Sequence, residues 1–224
     1  MMKIMKDERF VFASLLSGGK DSNFAILKMY KETKRLPCCA ITVKAKKDDY
    51  LFHYENTEWV GLQCESMNIP WIYVNSLEEG LKKAKDEYGA NYLLTGGILS
   101  VYQKKKFEEI AGNFEIKVIS PFWGNDQISY MLSLIDEGIR YMIVKVAALG
   151  LGREWLGKII GLEETKEIIN LSKKYRFNPT FEGGEAETFV LQTPIYRKRI
   201  VIDEHEIIWE KDSGSYIIKK AHLE

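Results

Sequence analysis

The chain has 224 residues, 46% of them hydrophobic and 12% aromatic, which is enough for one large domain or two small ones with a sizeable core. Lys+Arg and Asp+Glu are both 32, so the formal net charge is zero, which argues against a nucleic-acid binder working through a broad basic surface. The three cysteines, Cys38, Cys39 and Cys64, contain no C-x-x-C pair and exclude a disulfide framework; they read as buried thiols in a reducing compartment.

In chain order, the opening MMKIMKDERF is too charged for a signal peptide, and a soluble cytoplasmic chain is expected. Phe10 to Leu16 is a short apolar run ended by a Gly-rich loop. Asn23 to Lys31 carries Phe24, Leu27 and Tyr30 at helix spacing. Cys38 to Val43 reads as a second strand, and Phe52 to Met67 as an amphipathic helix on Phe52, Trp59, Val60, Cys64 and Met67. Trp71 to Val74 is a third strand, Leu77 to Tyr88 a helix stopped by Gly89, and Tyr92 to Leu94 a fourth strand broken by TGG. Val101 to Ala111 is a polar helix and Ile116 to Ile119 a fifth strand. Strands alternating with helices predict right-handed crossovers and a mostly parallel sheet.

After Pro121 the texture changes. Ile128 to Ile139 and Glu163 to Tyr175 read as helices, and Arg140 to Ala148 as a buried strand. No apolar run is long enough to span a bilayer; the best, Tyr141 to Leu151, is interrupted by Lys145. The tail reads as four short strands, Phe189 to Leu191, Arg199 to Asp203, Glu206 to Glu210 and Tyr216 to Lys219, with DEHE and DSGS as turns. The expected fold is α/β, with an N-terminal parallel sheet and flanking helices over 1–120 and a smaller C-terminal α+β domain over 121–224.

Ser17-Gly18-Gly19-Lys20-Asp21-Ser22 lies where the first strand feeds the first helix. Backbone N–H groups at a helix start are unpaired and the dipole is positive there, so the place suits an anion. Gly18 and Gly19 allow close backbone approach, Lys20 adds a charge, and Ser17 and Ser22 add hydroxyls. The common P-loop needs G-x-x-x-x-G-K-[ST]; here Ser14 stands at the first glycine and Asp21 follows the lysine. An aspartate beside phosphate calls for a divalent cation between them, which makes Asp21 a candidate Mg²⁺ ligand. A tight turn with a solvated Lys-Asp pair is the plain alternative. SGGKDS resembles the PP-loop of the ATP pyrophosphatases, a HUP-like fold whose members cleave ATP between the α- and β-phosphates, with the loop holding the pyrophosphate.

Three later segments narrow the choice: LLTGGILSVYQKKKFEEIA from Leu93, SPFWGNDQ from Ser120 with IVKVAALGLGREWLG from Ile143, and FEGGEAETFVLQTPIY from Phe181. Together with SGGKDS, and in this order over nearly the whole chain, they resemble the diphthine–ammonia ligase (diphthamide synthetase) family in its short archaeal form. Val101 stands where that family's pattern has aspartate, and Lys106 where it usually has arginine. The resemblance implies amidation of the diphthine carboxylate on elongation factor 2 with ammonia, through an acyl-adenylate, giving AMP and pyrophosphate. It implies ATP with Mg²⁺ in the loop, and neither a membrane nor a nucleic acid as partner.

Turns at the carboxyl ends of parallel strands line the ligand crevice, so Gly96 and Gly97 join Ser17 to Ser22 as nucleotide-binding candidates. Ser100, Tyr102 and Gln103 are substrate-binding candidates on the next helix. Glu182, Gly183, Gly184, Glu185, Glu187 and Thr188 form an acidic Gly-rich turn with Phe181 and Phe189 beside it. Such a turn suits a trimethylammonium group by Coulomb and cation–π attraction, or an ammonium ion. Lys20, Asp21 and Glu185 are the catalytic candidates. Lys145 inside an apolar strand calls for a carboxylate or a phosphate partner. Trp123 reads as packing, and His53 as a surface or helix-start residue. A tRNA-thiolating relative and a non-catalytic ATP/AMP-binding module are the competing readings.

Overall fold

The computed structural model describes residues 10–44 and 55–224. Phe52 and His53 lie outside the described residues. The N-terminal half is a five-stranded parallel sheet of β1 (Phe12–Leu15), β2 (Ala40–Val43), β3 (Trp71–Val74), β4 (Tyr92–Leu94) and β5 (Lys117–Ile119), in the order β3-β2-β1-β4-β5. Helices α1 (Lys20–Thr33), α2 (Val60–Met67), α3 (Leu77–Tyr88) and α4 (Val101–Gly112) make the crossovers. The strands are apolar on both faces, as a sheet covered on both sides requires. Phe12, Ala40 and Leu94 face one core with Phe24 and Leu27 of α1. Their neighbours Ala13, Ile41 and Leu93 face the other, with Leu81 of α3 and Phe107 of α4.

The second half carries α5 (Gln127–Asp136), β6 (Arg140–Val146), β7 (Ile159–Ile160), α6 (Leu162–Tyr175), β8 (Ala186–Gln192), β9 (Ile200–Glu210) and β10 (Ser213–Leu223). β6 pairs antiparallel with β7, β8 and β10, and β9 pairs with β10. The expected DEHE turn is not a turn. Glu204, His205 and Glu206 pair with Lys220, Ile218 and Ile217, and the chain reverses only at Lys211 and Asp212. Their polarity comes from solvent exposure on an outer strand, and ion pairs such as Glu206–Lys219 (2.9 Å) cross the hairpin. α1 begins at Lys20, three residues before the stretch read as helix from Asn23.

The two halves share one core. Phe24, Leu27, Val60 and Met67 of the first pack in a cluster with Tyr130, Ile143, Phe189 and Val190 of the second. No helix among the described residues is long and apolar enough to cross a membrane.

Candidate functional site

The strand order reverses between β1 and β4, which leaves a crevice at their carboxyl ends, the position where open α/β sheets bind ligands. A cavity of about 490 Å³ occupies it. Ser17, Gly19, Asp21 and Ser22 line it from the β1 loop, and Thr95, Gly96 and Gly97 from the β4 loop. Ser100, Tyr102 and Gln103 line it from the start of α4; Lys145, Glu182, Gly183, Gly184 and Glu187 line it from the second half. Four segments chosen from sequence, separated by up to 170 residues, thus meet in one space. Leu15, Val43 and Phe107 add an apolar flank that the sequence reading missed, since strand-end and helix residues of this type look like core.

The close approach of the β1 and β4 loops depends on glycine. A Cβ on Gly96 would lie 2.5 Å from the Asp21 carbonyl carbon and 2.6 Å from the Ser22 nitrogen, which no side chain can occupy. Gly18 has φ +88°, and its carbonyl accepts from the N–H of Val190 and from Nε2 of Gln63, both at 2.9 Å. The first helical N–H, that of Lys20, donates to Oγ1 of Thr188 at 3.0 Å. Thr188, a substrate-binding candidate, therefore caps α1 from 168 residues away and lies outside the cavity lining.

Lys20 is placed differently from a free phosphate-facing charge. It is 2% exposed and absent from the lining. Its Nζ donates to the Thr180 carbonyl at 2.7 Å and to Oδ2 of Asp21 at 2.8 Å, and lies 5.4 Å from the Phe181 ring centre. Phe181 holds φ +66°, an uncommon conformation for a bulky residue. Oδ1 of Asp21 accepts from the Tyr130 hydroxyl at 2.8 Å. Burial, then the charge of Asp21, push the Tyr130 phenol well above the usual tyrosine range and keep it a proton donor. Tyr130 was not legible as a site residue, because an amphipathic helix offers no signal for which buried tyrosine meets a loop 109 residues earlier.

The three glutamates of the acidic turn separate into different tasks. Glu182 accepts from the backbone N–H groups of Ile98, Leu99 and Ser100 at 3.1–3.3 Å and ties the turn to the start of α4. Glu185, the catalytic candidate, is outside the cavity lining; its oxygens accept from the N–H groups of Asn178 (2.9 Å) and Gly183 (2.8 Å). Glu187 accepts from Lys145 Nζ at 3.0 Å. Lys145 also reaches Glu55 at 3.5 Å, and Glu55 accepts from Ser215 Oγ at 3.0 Å. Burial works against the Lys145 charge, but the Glu187 and Glu55 carboxylates outweigh it and raise its pKa, so it is an ammonium at neutral pH. The carboxylate partner that a lysine in an apolar strand called for is therefore present twice. Trp123 meets Lys104, whose Nζ lies 4.3 Å from its ring.

Among the described residues no group of three or more His, Cys, Asp or Glu is disposed to hold a metal. Asp21 faces the cavity, 28% exposed, with each oxygen carrying one hydrogen bond and a remaining lone pair. That fits a Mg²⁺ arriving on nucleotide phosphates, which needs one or two carboxylates from the protein, and does not form a resident metal cage.

Comparison with known proteins gives the chain its relatives. The family model of the diphthamide synthase N-terminal domain matches residues 11–118, and that of the C-terminal domain matches residues 126–223. The chain is 30% identical over 233 residues to the diphthine–ammonia ligase of Schizosaccharomyces pombe, covering 92% of this chain and 38% of that one. It is 29% identical over 225 residues to the Homo sapiens diphthine–ammonia ligase, covering 88% of this chain and 84% of that one. A solved structure, described as a predicted subunit of tRNA methyltransferase from Methanocaldococcus jannaschii, aligns over 83% of this chain at TM-score 0.42 and 13% identity, too distant to bear on function. With the two family models matching 11–118 and 126–223, the chain belongs to the diphthamide synthase family and is by that membership a ligase.

Proposed function

We propose that this protein amidates the carboxylate of diphthine on elongation factor 2 with ammonia, at the expense of ATP, in the cytoplasm. One observation carries the reading: the SGGKDS and TGG loops and the EGGEAE turn line a single cavity at the switch point of a parallel sheet. Residues 1–120 would bind ATP and residues 121–224 the acceptor. Leu15, Val43 and Phe107 offer an apolar flank for the adenine ring. Ser17, Gly19 and Ser22 take the phosphates, with Gly96 and Gly97 closing the other side. Asp21 would hold Mg²⁺ on the protein side, and the ion would there neutralise phosphate charge.

The acceptor carboxylate attacks the α-phosphorus. A carboxylate-oxygen–phosphorus bond forms, the bond to the β-phosphate bridging oxygen breaks, and pyrophosphate leaves. Ammonia then attacks the acyl carbon, the acyl–oxygen bond breaks, AMP departs and a proton is released. Such in-line attack needs the reacting atoms about 3–3.5 Å apart, which a shared cavity permits and separate surfaces would not. Of the three glutamates of the turn, Glu182 and Glu187 line the cavity on the acceptor side, Glu182 held by three N–H groups and Glu187 by Lys145, while Glu185 lies outside the lining.

Labelled ATP incubated with diphthine-bearing elongation factor 2 and ammonium, then resolved by chromatography, tests the mechanism. AMP and pyrophosphate are expected in equal amounts with the amidated factor. ADP as the main product would remove the acyl-adenylate route.

A further inference from the structure

Asp21 lines the cavity next to the residues given to phosphate, and it owes its orientation to groups on both sides. Oδ2 is held by Lys20 Nζ at 2.8 Å, and that ammonium is itself fixed on the Thr180 carbonyl at 2.7 Å. Oδ1 is held by the Tyr130 hydroxyl at 2.8 Å, from the other half of the chain. The Tyr130 ring has no freedom to let that hydroxyl wander. It is 2% exposed and packs edge-on against Phe122 at 5.0 Å and tilted against Phe24 at 5.5 Å. Its helix is fixed at the start by Asp126, which accepts from the Ser129 N–H at 2.9 Å.

A surface carboxylate samples several rotamers, and one that must meet a ligand loses rate or affinity in proportion. Two donors on two oxygens remove that freedom while leaving a lone pair on each oxygen for a ligand. We propose that Tyr130 is a positioning residue for the ligase reaction, its hydroxyl setting the Asp21 carboxylate for the nucleotide from across the two halves of the molecule. This rests on the reading of Asp21 as part of the nucleotide site. The plain alternative is that a buried phenol needs an acceptor and Asp21 happens to supply one.

The two accounts differ in a double-mutant cycle of Tyr130→Phe and Asp21→Asn on the full chain, read as pyrophosphate release with diphthine-bearing factor and ammonium. Tyr130→Phe is expected to lower kcat about tenfold with KM for ATP within about twofold, the scale of one hydrogen bond to a charged group. In the Asp21→Asn background it is expected to add no further loss. A wild-type kcat in Tyr130→Phe overturns the proposal, and so does an equal fractional loss in both backgrounds. If Asp21→Asn is itself silent, the reading of the nucleotide site falls and the proposal with it, whereas an impaired Asp21→Asn beside a silent Tyr130→Phe removes the proposal alone. Should Tyr130→Phe fail to fold, 3-fluorotyrosine at 130 keeps ring and hydroxyl while sharpening the donor. A changed kcat at unchanged melting temperature is then expected, and an unchanged kcat overturns the assignment.

Discussion

A lysine 2% exposed has given up the hydrogen bonds of water, and Lys20 receives a carbonyl, a carboxylate and an aromatic face in their place. Replacing it with methionine keeps the length of the side chain and removes the ammonium. The Thr180 carbonyl and one oxygen of Asp21 then lose their donor. Lys20→Met is expected to cost about 2 kcal/mol of unfolding free energy, the scale of a buried polar group left unsatisfied, measured by urea titration. A loss below about 0.5 kcal/mol would mean these contacts contribute nothing net in the folded state. The same residue shows what a sequence conveys and what it withholds. The types in SGGKDS point to an anion at a strand-to-helix turn, because that chemistry depends on local backbone. Where the Lys20 ammonium goes depends on Thr180, 160 residues away, and no local pattern carries it. Glu185 is a parallel case. Its charge suggested catalysis, yet its oxygens hold the backbone of its own turn at Asn178 and Gly183.

Alternation of strands and helices was readable in the first half because parallel strands are short, apolar and separated by amphipathic helices. In the second half most of β9 reads as strand but its DEHE stretch reads as a turn, since an outer strand exposed to water carries the same polar residues; only its pairing with β10 distinguishes the two. Between elements, Gly96 decides how near the end of β4 comes to the first turn of α1. A methyl group there meets Asp21 and Ser22 backbone at 2.5–2.7 Å, and backbone on the first turn of a helix gives way poorly. Gly96→Ala is expected to push the two loops apart, to cost about 1–3 kcal/mol as overpacking does, and to depress ATP turnover. Its neighbour supplies the comparison, since a Cβ on Gly97 meets nothing within 4 Å. Thermal melting of Gly97→Ala is expected at the wild-type temperature and that of Gly96→Ala several degrees lower. Equal melting of the two would refute the close-approach account.

At the scale of the whole molecule, the change of texture after Pro121 suggests two parts, but the physical connections run across it. One apolar cluster includes Phe12 and Val60 from the first half and Ile143 and Val190 from the second. Buried polar groups cross as well. Gln63, 0% exposed, donates to the carbonyls of Gly18 and Val190 at 2.9 Å each, and Asn56 bonds Tyr216 and Ile218 on β10 at 2.8 Å. The Tyr196 hydroxyl donates to Asn23 at 2.7 Å. Separating the halves would leave these groups without partners in an apolar setting, at about 1–3 kcal/mol for each one that stays dry, besides exposing the shared core. Neither half is then expected to fold alone, and β8 holds the loop between β1 and α1 through Thr188 Oγ1 and the Val190 N–H. Differential scanning calorimetry of the full chain is therefore expected to show one transition with equal calorimetric and van't Hoff enthalpies. Adding ATP should move that whole transition upward, because a ligand bound in the shared cavity stabilises everything that unfolds with it. Two resolved transitions, with ATP shifting only one, would show that the halves fold independently and that the contacts between them contribute little.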